Sequence, residues 1–185
     1  MVSSGFNYHQ KYRRSVELLG YKVLNIARGE IGSNRKNRGN RLLTVIQYCI
    51  DMAISLQTAS QTCRPNARMI YVVGRESNVL GYSFCNSELI YRIGTEILGL
   101  NLINRQERVF KNRYGQMIFE DILHFANTKT SINLSEDALI DAARKIAVDA
   151  LKKKQCDYPD SENIAYIQNA IEKAASVKRS EANYE

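Results

Sequence analysis

Two apolar segments separated by only a few residues constrain this chain more than anything else in it. "NLINRQERV" and "QMIFEDILHF" each read as strands, and the connection between them is too short for a crossover. The two must therefore pair antiparallel. The turn that joins them has unusual chemistry. A hairpin tip that serves structure alone is normally short and carries Asn-Gly or Asp-Gly. This one offers Phe110, Lys111, Asn112, Arg113 and Tyr114. A ring flanked by cations at a loop tip can stack on an unpaired base while the charges hold phosphates. The structural alternative is that Phe110 folds back on the core.

The remaining pattern is helical with one further strong strand. "HQKYRRSVELLGY" reads as a short helix closed by Gly20, and Gly29 to Asn40 as a polar loop. "RLLTVIQYCIDMAISLQTASQTC" places Leu42, Leu43, Ile46, Ile50, Ala53, Ile54 and Leu56 at helical spacing, and "RPNA" breaks it. "RMIYVVG" is continuously apolar and rich in β-branched residues, which predicts a strand covered on both faces, central in a parallel sheet. After a loop, "NSELIYRIGTEILGLNL" predicts a helix capped by Asn86 or Ser87 and ended by Gly99. A strand, a helix and a further strand imply a right-handed crossover. "NLSEDALIDAARKIAVDALKKK" carries Ser135 as a cap, Asp137 in the first turn and lysines at the end, as the helix dipole favours. "SENIAYIQNAIEKAASV" adds a second amphipathic helix, with Ile164, Ile167 and Ile171 on one face, so the tail reads as a helical hairpin.

Charge points to a polyanionic partner. The net charge is +7, and the excess lies in the first two thirds of the chain. "ARGEIGSNRKNRGNR" gathers Arg28, Arg35, Lys36, Arg38 and Arg41 around a single Glu30. Arg105, Arg108, Lys111 and Arg113 form a second set beside the hairpin turn. Cations gathered in loops neutralise phosphates and release counterions; a plain solvated face is the bland alternative.

Other chemistries find little in the sequence. Cys49, Cys63, Cys85 and Cys156 form no C-x-x-C pair, and His9 and His124 lie far from them, so no metal site is expected. "GEIGSNRKNRG" lacks both a preceding strong strand and a G-K-[ST] ending, which argues against a P-loop. The histidines lack a nucleophile-elbow context. Glu120 and Asp121 are neighbours on a strand and so face opposite sides, unsuited to paired-carboxylate catalysis. No apolar stretch approaches the roughly 20 residues needed to cross a bilayer, and no secretory layout opens the chain, so a cytoplasmic protein without membrane partners is expected.

From Ala67 to Phe125 the order of elements and residues resembles the C-terminal half of bacterial class I S-adenosylmethionine-dependent DNA amino-methyltransferases, which modify adenine N6 or cytosine N4 in restriction-modification. The likeness rests on "MIYVVG", a helix ending in Gly plus an apolar residue, a basic turn and "EDILHF", and its layout extends over roughly residues 1 to 127. It implies a partial Rossmann-like methyltransferase sheet with a terminal antiparallel hairpin (residues 1–128), followed by a C-terminal helical hairpin (residues 129–185). It also implies that the turn around Phe110 lines a pocket for a flipped base. The family's catalytic tetrapeptide would fall on Ser3, Ser4, Gly5 and Phe6, where both of its prolines are replaced.

The family's cofactor half has no counterpart in the sequence. The resemblance thus implies a truncated, split or degenerate protein, inactive as an isolated chain, with DNA as partner. S-adenosylmethionine would be held only if a complementing subunit or a homodimer completed the site. Two readings from other classes stand beside this one. The first is a non-catalytic nucleic-acid-binding or regulatory module that uses Arg28 to Arg41. The second is an interaction scaffold that presents the helical tail.

Overall fold

The computed structural model describes residues 41–127 and 132–180. In chain order these form α1 (Leu43–Thr62), β1 (Arg68–Gly74), β2 (Glu76–Val79), β3 (Tyr82–Cys85), α2 (Asn86–Arg92), β4 (Asn101–Lys111), β5 (Met117–Ala126), α3 (Glu136–Asp157) and α4 (Ile164–Glu172). The class is mixed α/β. Strands run β1–β5–β4 in a three-stranded antiparallel sheet, beside a separate β2–β3 hairpin. All of these elements lie within the compact unit Arg38–Arg179.

The helices follow their apolar spacing. Val45, Ile46, Cys49, Ile50, Ala53 and Leu56 form the buried face of α1. Leu139, Ala143, Ile146, Ala147 and Leu151 form that of α3, and the two helices pack on each other. Ser135 caps α3 by accepting from the Ala138 amide at 3.4 Å. From the sheet, Met69, Leu123 and Phe125 enter the same core. Tyr82 does so as well, and its hydroxyl donates to Ser161 Oγ at 2.6 Å in the connection between α3 and α4.

The parallel arrangement expected of "RMIYVVG" does not occur. β1 is an edge strand of the described sheet and pairs antiparallel with β5, from Arg68↔Ala126 to Gly74↔Glu120. The physical reason lies in its alternation. Met69 is buried, whereas Ile70 and Val72 point to the other face and are 54% and 52% exposed. A run of apolar residues concealed a strand with one open face. Neither the crossover nor the parallel pairing of a Rossmann-like sheet is present among the described strands. The terminal antiparallel hairpin and the helical pair after it are.

Two local expectations also change. Residues 76–85, read as a loop, form the β2–β3 hairpin, whose two-residue turn puts both Leu80 (φ 56) and Gly81 (φ 88) at positive φ. Neither Asn86 nor Ser87 caps α2, since Cys85 occupies the N-cap. The Asn86 side-chain Nδ2 instead donates to the Gly74 carbonyl at 3.0 Å and to Ser77 Oγ at 2.8 Å. α2 continues as a π-helical turn over Ile93–Ile97, closed by the Leu98 amide donating to the Ile93 carbonyl at 3.2 Å.

Candidate nucleic-acid interface

β4 and β5 are longer than the helical layer that covers them. On the covered face, β5 alternates Met117, Phe119, Asp121, Leu123 and Phe125, and the register sets Lys111, Val109 and Glu107 beside the first three of these. Leu123, Phe125 and Asp121 are buried, while Phe119, Met117 and Val109 are exposed. Cover therefore ends near the Glu107↔Asp121 pair. Beyond it β4 and β5 continue as a two-stranded ribbon that no other described element covers.

A buried carboxylate anchors the base of this ribbon. Asp121 is 2% exposed, yet all of its partners are donors. Ser87 Oγ donates to Oδ2 at 2.5 Å and Arg105 Nη2 to the same oxygen at 2.8 Å. Arg75 donates to Oδ1 through Nε at 3.2 Å and Nη2 at 3.1 Å. Burial alone would raise its pKa, but the hydrogen bonds from Ser87 and Arg105 and the nearby charges of Arg105 and Arg75 outweigh it, holding the carboxyl below its ordinary value. Arg105 is correspondingly held up, chiefly by its bond to Asp121. Arg75 also pairs with Glu107 and lies over the Phe119 ring, 5.4 Å from its centroid. One guanidinium thus links the end of β1 to both strands of the ribbon. Ser87 Oγ, held between Asp121 and Arg105 Nη2 at 2.7 Å, is a structural hydroxyl.

The tip is built by Asn112. Its amide donates to the Gln116 carbonyl at 2.8 Å, and its carbonyl accepts from the Gly115 amide at 3.0 Å. Its Oδ1 accepts from the amides of Tyr114 at 2.9 Å and Gln116 at 3.0 Å. Gly115 takes φ +78, a conformation that suits a residue without Cβ. Asn112, expected to contact DNA, is thus occupied in shaping the turn. Phe110 lies in β4 and not in the turn, on the face opposite Phe119, with the Arg108 guanidinium 4.8 Å from its ring centroid. Arg108 also pairs with Glu120 at 3.1 Å. Arg113 lies over the Tyr114 ring at 4.6 Å and donates to its hydroxyl, and Tyr114 itself is 72% exposed.

The structure therefore gathers Phe110, Lys111, Asn112, Arg113 and Tyr114 at one end of one ribbon. From Arg108 to Phe119 the sequence has three cations and no carboxylate, which leaves this end basic. Ser3, Ser4, Gly5, Phe6, Arg28, Arg35, Lys36 and Arg38 lie outside the described residues. Arg41 is exposed in the turn before α1, its carbonyl accepting from Thr44 Oγ1 at 2.5 Å. Sequence reasoning passed over Arg75, Ser87 and the role of Asp121. One signal was available: Asp121 is a lone carboxylate in the alternating apolar row Phe119, Leu123, Phe125.

Other chemistry has little to build on. Among the described residues no cluster of His, Cys, Asp and Glu could hold a metal ion. Cys49 is buried, and burial pushes its thiol up to about 12. No described helix is long and apolar enough to cross a membrane. Searches of protein-family models, curated proteins and solved structures gave no match to this chain.

Proposed function

We propose that the chain is a nucleic-acid-binding module whose contact element is the distal β4–β5 ribbon. The observation that carries this reading is the composition of this projection. Lys111 and Arg113 supply charge, Arg108 adds a cation held by Glu120 at 3.1 Å, and Phe110 and Tyr114 supply ring faces. Cations beside exposed rings pair phosphate contacts with stacking, a combination that protein partners do not require. Interfaces between proteins are, on the contrary, poor in lysine at their centres.

The DNA methyltransferase reading shares this DNA-facing hairpin. It also needs β1 parallel inside a larger sheet, whereas β1 is antiparallel at an edge of the described one. The module is proposed as a binder on that ground.

The test is fluorescence anisotropy with labelled oligonucleotides at fixed low salt, comparing the chain with a Lys111→Ala, Arg113→Ala, Tyr114→Ala variant. All three side chains are exposed, so the variant should fold. Loss of two phosphate contacts and a stacking ring should weaken binding about tenfold or more. Unchanged affinity would remove the ribbon from the interface, and absence of binding by the parent chain would end the proposal.

A further inference from the structure

Resting on that reading, we propose that the ribbon's ligand is duplex DNA and that the ribbon enters its major groove. The argument begins with how the cations are distributed. Arg108 pairs with Glu120 across the strands, on the face that also carries Phe110 and Ile118. Lys111 pairs with Met117, on the face that carries Val109 and Phe119. Arg113 belongs to the turn at the tip, where it lies over the Tyr114 ring. A single strand lying on a sheet needs one open face with its charges and rings on that face. Here no described element covers either face beyond the Glu107↔Asp121 pair. Lys111 lies on one face and Arg108, held by Glu120 and able to exchange it for a phosphate, on the other, and Phe110 and Phe119 lie on opposite sides. A groove presents phosphates on two walls, and a ribbon charged on two faces matches two walls.

Dimensions agree. Beyond the anchored Glu107↔Asp121 pair, β4 extends through Arg108, Val109, Phe110 and Lys111 before the turn. At about 3.3 Å per residue this gives roughly 13 Å of reach before the tip is counted. The major groove of B-DNA is about 12 Å wide and 8.5 Å deep, and it admits a two-stranded ribbon. The corresponding groove of A-form RNA is too narrow for side chains to read. The tip would then arrive at the base edges with Arg113 foremost. Its guanidinium is already seated on the Tyr114 ring, so less freedom is lost when it hydrogen-bonds a guanine edge. The anchor matters too: Arg75, tied to Asp121 and Glu107, holds both strands where the ribbon leaves the core, so the projection is presented in a set direction.

The experiment uses the full chain and probes of one sequence and length: a DNA duplex, its single strand and the RNA duplex, each at the same salt. The DNA duplex should bind about tenfold or more tightly than either alternative. Glucosylated 5-hydroxymethylcytosine, which fills the major groove, should weaken binding about tenfold, while the minor-groove ligand distamycin should leave it unchanged. Lys111→Ala should reduce the slope of log affinity against log salt by about 0.9, since it removes one phosphate contact. Arg108→Ala should weaken duplex binding because it removes a cation and leaves Glu120 unpaired on that face. Equal or tighter binding of the single strand or of RNA would overturn the groove assignment while leaving the ribbon's role in nucleic-acid binding intact. Displacement by distamycin with indifference to glucosylation would overturn it in the same way. Failure to bind any of the three probes would instead remove the reading on which this inference rests.

Discussion

Asp121 is buried beneath two partly exposed guanidinium groups, and a carboxylate in that position depends on its donors. Four hydrogen bonds from Ser87, Arg105 and Arg75 converge on its two oxygens. Substituting Asp121→Asn leaves Arg75 and Arg105 facing a neutral amide; because both guanidinium groups keep contact with solvent, the fold should lose about 1–2 kcal/mol, less than for a fully buried pair. The sign of the pH dependence follows from the depressed pKa. The folded value lies below the unfolded one, which is about 3.9 for Asp. The stabilisation is therefore fully present above that value and is lost as pH falls through the folded pKa. Urea titrations should show the gap between parent and Asp121→Asn narrowing below about pH 4. A gap that stays constant down to pH 2 would mean that the ion pairs contribute nothing. Gly94 is a second sensitive residue: a Cβ there would come within 2.8 Å of the Phe125 ring, which is itself fully buried. Neither partner can retreat cheaply, so Gly94→Ala should cost about 1–3 kcal/mol by the same assay. Wild-type stability in that variant would show that the π turn yields instead.

At the level of elements, the hairpin tip has one residue on which its geometry depends. Asn112 makes four of the turn's hydrogen bonds through its backbone and its Oδ1. Asn112→Ala removes the two to Oδ1 and the bond its Nδ2 donates to Gln116 Oε1 at 3.1 Å. These are exposed, so the loss in global stability should stay near 1 kcal/mol. Locally the amides of Tyr114 and Gln116 should exchange with solvent faster, and nucleic-acid affinity should fall although no phosphate-binding side chain has changed. Unaltered exchange at both amides would show that the backbone alone sets the tip. The same hairpin shows what a sequence discloses. β4 and β5 were legible because a short connection between two apolar segments admits one pairing only. α1, α3 and α4 were legible from residues such as Ile46, Ile50 and Ala53, whose spacing has no reading other than a helix. β1 was misread because Ile70 and Val72 are apolar and exposed, and burial is a property of what lies opposite. β2–β3 escaped notice because its turn opens with Leu80, where Asn or Asp would ordinarily precede Gly81 at positive φ. For the site, the cations and rings were visible one by one. That Lys111 and Arg108 face opposite ways is a matter of register, and the carboxylate that anchors them became apparent only with its partners Arg75, Arg105 and Ser87 in place.

The helices after the sheet decide whether the molecule is a domain with an appendage or one folding unit. α3 buries Leu139, Ile146 and Leu151 against α1 and its neighbours, with Ala143 and Ala147 in the same stripe. Each large side chain contributes about 1.5–3 kcal/mol on full burial. Three of them amount to a sum comparable with the 5–15 kcal/mol net stability typical of a domain. The connection is also specific: Gln57 on α1 donates to the Leu134 carbonyl at 2.9 Å and accepts from the Leu134 amide at 3.0 Å. Without α3, which packs on α1, the buried face of α1 would lose part of its cover. A chain ending at Asn133 should therefore lose its cooperative urea transition, bind a hydrophobic dye, and lose nucleic-acid affinity although the ribbon sequence is intact. The last effect follows because a two-stranded ribbon alone is marginal in water and needs a packed platform. The decisive outcome is the melting behaviour. If the shortened chain still unfolded in one sharp transition and still bound, α3 and α4 would be dispensable to the platform, and the helical pair would become the surface offered to a partner protein.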